Sequence, residues 1–183
     1  MKKFELTSET KINIFGKKLF RIKALVSFGV VKTGETGGWV EKEENVNQSG
    51  DAWVFGNAEV FGNARVFGNA EVFGNARVSG DAWVFGNARV SGNARVSGNA
   101  RVSGDAWVSG NADYTTIHGF GTQFRTTTFF RCKDKQVKVS CGCFYGTIPE
   151  FREQVKNTRD GKIAEEYLMI ADLMEKHFAE EAK

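Results

Sequence analysis

The sequence predicts a mainly β protein organised around a repeat, with a β cap before it and a small α+β domain after it. Three observations carry that expectation. First, a six-residue unit is written eleven times between Gln48 and Asp113 without insertion or loss. From Val54 it runs VFGNAE VFGNAR VFGNAE VFGNAR VSGDAW VFGNAR VSGNAR VSGNAR VSGDAW VSGNAD, led in by QSGDAW. Second, Ala and the following Val lie two apart, so extended backbone sends both to one side and the residue between them to the other. Gly-Asn or Gly-Asp is then left for the corner, because these residues tolerate positive φ. Third, eleven glycines in 66 residues exclude a helix, at about 1 kcal/mol each. A strict short period marks a repeat architecture.

The unit resembles the hexapeptide repeat of left-handed parallel β-helices, whose pattern is aliphatic, x, x, Asn/Asp, small, x. The resemblance implies three units per triangular turn of eighteen residues, hence about 3.7 turns and a prism about 18 Å tall at ~4.8 Å per rung. Left-handedness rests on the resemblance alone, since right-handed crossovers are the general rule. Stacking at eighteen residues maps three outer faces: Trp53, Glu71, Arg89 and Trp107; Glu59, Arg77, Arg95 and Asp113; Arg65, Trp83 and Arg101. Glu71 with Arg89 and Glu59 with Arg77 are complementary, and Trp83 falls between two arginines in a cation–π arrangement. Arg77 over Arg95 is a like-charged step that calls for a partner anion. The second outward position holds Phe55, Phe61, Phe67, Phe73 and Phe85 early on, then Ser79, Ser91, Ser97, Ser103 and Ser109. Five bare phenylalanines exceed what a soluble monomer exposes. They are expected to be covered by the N-terminal segment or by a neighbouring subunit.

Residues 1–47 form the cap that the open edge of a β-helix requires. KINIFGKKLFRIKALV reads as a hairpin, with Ile12, Ile14, Phe20, Ile22 and Ala24 alternating about Gly16-Lys17. Trp39 is the expected plug of the prism base. GETGGWVEKEENVNQSGDAWV followed by GNAxV units is similar to phage and prophage proteins often labelled polymer-forming or putative transferase. FFRCKDKQVKVSCGCFYGTIPEFREQV resembles the end domain of some members. The resemblance implies a phage context and a homo-oligomer, with a trimer expected and ligands bound between subunits.

Residues 48–113 are the repeat, and residues 114–183 read as a loop, a β-hairpin and two helices. A Lys133–Gln136 turn pairs Cys132 with Val137, Phe130 with Val139 and Thr128 with Cys141. That register puts Phe130, Cys132, Val137, Val139 and Cys141 on one apolar face, with Phe129, Arg131, Lys138 and Ser140 opposite. Thr147-Ile-Pro-Glu150 is a capping box opening a helix with Ile148, Phe151 and Val155 inward. A loop at 157–161 leads to a last helix with a stripe of Ile163, Tyr167, Ile170, Met174 and Phe178.

A net charge of +3, with the repeat arginines balanced by Glu and Trp, argues against a dedicated nucleic-acid binder. MKKFELTSET has no apolar signal-peptide core and no run of 18 apolar residues occurs, so neither a signal peptide nor a membrane span is expected. Three cysteines fit a reducing cytoplasm, that of the host if a phage encodes the chain. A hexapeptide-type acyltransferase needs a general base, usually His, beside the coil. The repeat contains none, leaving His118 and His177. Cys132, Cys141, Cys143 and His118 lack zinc-like spacing and read as small buried hydrophobes and a loop residue. No metal, cofactor or catalytic residue is assigned, and Gly119-x-Gly121 is too short for a dinucleotide motif.

Binding is the reading that remains. Between His118 and Arg131 the chain concentrates donors, aromatics and glycines suited to an anionic, nucleotide-like ligand. His118, Gln123, Arg125, Thr127 and Arg131 are the candidate ligand contacts, with Tyr114 and Phe129 as faces for a base. In a phage protein the use would be sequestration of a host signalling nucleotide. The other readings are a structural or assembly protein and an acyltransferase.

Overall fold

The computed structural model describes residues 1–179. The chain opens with β1 (Phe4–Ile12), β2 (Lys18–Ala24) and β3 (Thr36–Val40). Among the described residues ten two-residue strands follow, six residues apart, from β4 (Trp53–Val54) to β13 (Trp107–Val108). Beyond them lie β14 (Tyr114–Phe120), β15 (Arg125–Arg131), β16 (Val137–Cys141), β17 (Phe144–Thr147), α1 (Ile148–Thr158) and α2 (Gly161–Phe178).

The repeat coils into a β-solenoid. Trp53, Glu71, Arg89 and Trp107 stack in parallel register, as do Glu59, Arg77 and Arg95, and Arg65, Trp83 and Arg101. Every Val from Val54 to Val108 and every Ala from Ala52 to Ala106 is buried, so the interior is built of these two residue types. The corners need glycine twice over. At Gly62 φ is +69, and a Cβ there would lie 3.2 Å from the Gly80 backbone nitrogen on the next rung. Outside two of the three corners the polar side chains form ladders, Asn63 donating to Asp81 at 3.1 Å and Asn69 to Asn87 at 3.1 Å.

The solenoid begins before the regular repeat. Trp39 and Val40 pair with Glu59 and Val60, and Val46 bridges Val66, which makes each face four rungs high. Val40 and Val46 therefore close the base of the core, the place expected of Trp39. Trp39 instead occupies an outward position, covered by Leu19 and Phe61 and stacked against by Lys11 at 4.6 Å and Arg21 at 4.8 Å. Trp53, which the repeat places outside, is fully buried, because the edges of Phe4 and Phe28 pack on it at 5.8 and 5.3 Å.

The cap continues one face of the solenoid as β1-β2-β3, antiparallel, before the parallel stack starts. Lys11 turns inward to pair with Glu59 at 2.8 Å, so strand parity leaves Ile12 and Ile14 exposed, against the hairpin expectation. The cap buries one of the five repeat phenylalanines, Phe61; Phe55, Phe67, Phe73 and Phe85 are half-buried.

At the far end the order is β14-β15-β16-β17, all antiparallel. The register differs by one residue from the expected one: Phe129 faces Val139, Phe130 faces Lys138 and Thr127 faces Cys141. The cause is the connection. Cys132 N–H donates to Gln136 O at 2.9 Å and Lys135 takes φ +65, so the turn uses an odd number of residues and every partner moves by one. Phe130 and Cys132 consequently face the solenoid core, while Phe129, Val139, Val137 and Cys141 face α1 and α2. Both faces of this sheet are buried by different partners.

The helices follow the expectation. Thr147 Oγ1 accepts from Glu150 N–H at 3.3 Å and the Glu150 carboxylate accepts from Thr147 N–H at 2.6 Å. Ile148, Phe151 and Val155 of α1 are buried, with Tyr167, Ile170, Met174 and Phe178 of α2, while Ile163 is half-buried.

Candidate functional site

The last rung would expose backbone donors that each lower rung satisfies from the rung above. Side chains answer them. Arg95 N–H donates to Asn111 Oδ1 at 2.9 Å, and Arg101 N–H to Thr128 Oγ1 of β15 at 3.0 Å. Asp113 does not stack over Arg95 but folds back to accept from Ser109 and Gly110 N–H at 2.8 and 2.9 Å. The terminal sheet is thus tied directly to Arg101, and β14 and β15 overhang the face bearing Arg65, Trp83 and Arg101.

Under that overhang lies a cleft of about 500 Å³ lined by Asn99, Arg101, His118, Phe124, Arg125, Thr126, Gly142 and Cys143. Among the described residues no carboxylate borders it. His118 is positioned by its Nδ1, 3.2 Å from Thr126 Oγ1. Arg125 reaches the cleft because Gly142 has no side chain; a Cβ there would lie 2.5 Å from the guanidinium. Arg101 is held with its guanidinium 4.8 Å from the Trp83 ring, a contact that leaves its in-plane N–H groups free. Phe124 stands at φ +47 in the β14–β15 turn, 66% exposed. Among the described residues neither Arg101 nor Arg125 has an ion-pair partner. The arrangement offers two guanidiniums, an imidazole and an amide to one space, which is the chemistry of anion recognition.

Of the seven candidates named above, His118 and Arg125 meet in this cleft. Gln123 is exposed in the adjoining turn and does not line it. Thr127 is buried on the helix side, its hydroxyl 3.1 Å from Cys141 Sγ. Phe129 is fully buried with its ring 6.2 Å from that of Phe151. Arg131 ties down the end of α2, donating to Phe178 O at 2.8 Å and lying 3.7 Å from Asp113. Tyr114 donates its hydroxyl to the Arg95 carbonyl. The one-residue register difference explains this division, because it sends 127, 129 and 131 to the helices.

Arg101, Asn99 and Gly142 lie outside the segment from which the candidate contacts were drawn. The available signal was that Arg101 is the last cation of its column, immediately below the point where the repeat stops. The cysteines separate rather than converge: Cys132 faces the solenoid, Cys141 faces the helices and Cys143 is exposed at the cleft. Among the described residues no group of three or more His, Cys, Asp or Glu side chains is arranged to hold a metal. No helix among them is long and apolar enough to cross a membrane.

Comparison with known families agrees with the coil. A family model described as the YdcK beta solenoid repeat matches residues 94–110, the last turn, which carries Asn99 and Arg101. No curated protein matches the chain. The fold and this match define a β-solenoid repeat protein.

Proposed function

We propose that this chain is a non-catalytic binding protein whose cleft receives a small anionic, nucleotide-like ligand. One observation carries the reading: Arg101, Arg125 and His118 border a single cleft that no carboxylate lines among the described residues. The solenoid fixes Arg101, the terminal sheet fixes His118 and Arg125, and among the described residues neither arginine is consumed by an internal ion pair. In a phage-encoded homo-oligomer, sequestration of a host signalling nucleotide in the cytoplasm is the use that suits such a site.

Charge-assisted hydrogen bonds are worth roughly 1.5–3 kcal/mol each. Arg125→Ala and Arg101→Ala are therefore expected to weaken binding about 10- to 150-fold each while leaving the melting temperature unchanged. Arg131→Ala is expected to lower the melting temperature instead. Calorimetric titration against linear and cyclic nucleotides is the measurement. If no nucleotide binds tighter than about millimolar, the reading fails and an assembly role replaces it. That second reading has its own observation: Phe67 and Phe85, half-buried, stack at 4.9 Å beside the exposed Trp83. Filaments or lattices without a retained ligand, in native mass spectrometry and microscopy, would favour it. Acyl-CoA turnover lost in His118→Ala would favour the acyltransferase reading.

A further inference from the structure

The cleft opens into a second compartment. About 350 Å³ in volume, it shares Arg101, Gly142 and Cys143 with the cleft and is bordered besides by Phe85, Ser103, Ser140 and Tyr145. Its shape follows from one column of the repeat. Phe67, Phe85 and Ser103 occupy the same position on successive rungs, as the pairing of Phe67 N–H with Val84 O and Phe85 N–H with Val102 O shows. The rings of Phe67 and Phe85 are parallel to within 1° at 4.9 Å, the rung spacing. At the third rung the ring is replaced by serine, so the stack stops and the face of Phe85 away from Phe67 borders open space.

The terminal sheet closes that space without filling it. Tyr145 of β17 seats its hydroxyl against Gly104, where any Cβ would collide with it, and its ring lies 6.3 Å from Phe130 at 32°. One side of the Tyr145 ring is thereby supported, and the residue remains 45% exposed towards the compartment. Ser103 and Ser140, both buried, contribute hydroxyls that no hydrogen bond engages among the described residues. Two aromatic rings and two unengaged hydroxyls adjoin a cationic cleft through Arg101.

We infer that a flat heteroaromatic ring completes the Phe67–Phe85 stack between Phe85 and Tyr145, with its phosphate on Arg101 and Arg125, so that the ligand class is a nucleoside phosphate. The inference rests on the anion-binding reading of the cleft and adds to it the compartment for the base. Ring stacking supplies affinity whatever the base, and the serine hydroxyls read the ring edge. Ribose spans the Arg101–Cys143 passage between the two compartments.

The test compares AMP with ribose 5-phosphate on wild type, Phe85→Ser and Tyr145→Ala. Serine already stands at the Phe85 position in Ser79, Ser91 and Ser97, so the first variant keeps a residue the coil accommodates, which its melting curve checks. Wild type is expected to bind AMP about 5- to 150-fold tighter than ribose 5-phosphate, the range for one base on an aromatic platform. Both variants should lose that advantage and keep their affinity for ribose 5-phosphate, while Tyr145→Phe retains it. Equal affinity of wild type for the two probes, or equal losses for both probes in the variants, overturns the base compartment and leaves the anion site standing. Failure of both probes to bind overturns the anion site and this inference together.

Discussion

The two ends of the solenoid face the same problem and solve it differently. At the base, backbone pairing does most of the work: β2 extends one face by pairing β3, and buried side chains finish the rest. Lys3 Nζ donates to Ala52 O at 2.8 Å and Gly50 O at 3.1 Å, and Asn45 Nδ2 to Ala64 O at 2.9 Å. At the top, isolated side-chain acceptors, Asn111 and Thr128, meet the last donors, and a sheet with two buried faces sits over the core. Continuing a face seals it, whereas laying a separate sheet across it leaves an overhang. The cleft is at the end where the sheet meets the solenoid backbone through an isolated bridge, Ala106 with Cys132, and not through a continued strand pair.

The largest expected effect tests what both ends share. Val84→Asp puts an unpaired carboxylate in a core of Val and Ala and should abolish the cooperative melt; a folded variant with a normal melting curve would reverse the inside–outside assignment. Next come the ends themselves. Phe4→Ala and Phe130→Ala should each cost about 3–5 kcal/mol. Because solenoid contacts run between neighbouring turns, hydrogen exchange should rise near 53–60 in the first variant and near 100–108 in the second. Equal loosening at both ends in either variant would mean that the ends are not independent.

The two ends should also answer alkali with opposite signs. Burial pushes the Cys132 thiol up to about 11 from 9.0. Between those values the unfolded chain has released the proton that the folded chain keeps, so this contribution is full below pH 9 and lost by pH 11, roughly 2–3 kcal/mol. Burial lowers Lys3 to about 8 from 10.5. There the unfolded chain keeps the proton longer, so the same linkage raises stability between pH 8 and 10.5. Chemical denaturation of wild type, Cys132→Val and Lys3→Met across this window separates the two slopes; parallel curves would remove both assignments. The smallest effect belongs to the outer face. Arg95→Ala should change stability by less than about 0.5 kcal/mol, since among the described residues its guanidinium has no partner.

What the sequence made legible follows from locality. The eighteen-residue register could be read because a constant unit leaves no freedom, and Glu71 with Arg89 and Glu59 with Arg77 do pair, at 3.0 and 3.2 Å. The capping box of α1 was legible because its partners lie three residues apart. Burial of Trp53 was not, since Phe4 and Phe28 reach it from the cap while every local rule sends it outward. The terminal sheet failed on parity: a turn longer by one residue exchanges the two faces, and Thr127, Phe129 and Arg131 went with the wrong one. His118 and Arg125 were found because one turn brings them together. Arg101 required knowing which face the sheet overhangs, and no local pattern contains that.

The hexapeptide also sets a phase. Six residues advance the coil by one face and eighteen by one rung, so a stretch added below Asn99 acts on the terminal sheet as a rotation or as a lift. A whole added turn would raise the sheet unturned, with an equivalent of Arg101 still beneath His118 and a serine still above an equivalent of Phe85. A single added unit would swing the overhang onto the next face, away from the Trp83–Arg101 contact and the Phe67–Phe85 stack. Relatives that keep both compartments should therefore differ in length only by complete turns, and any that differ by one or two units should have lost them.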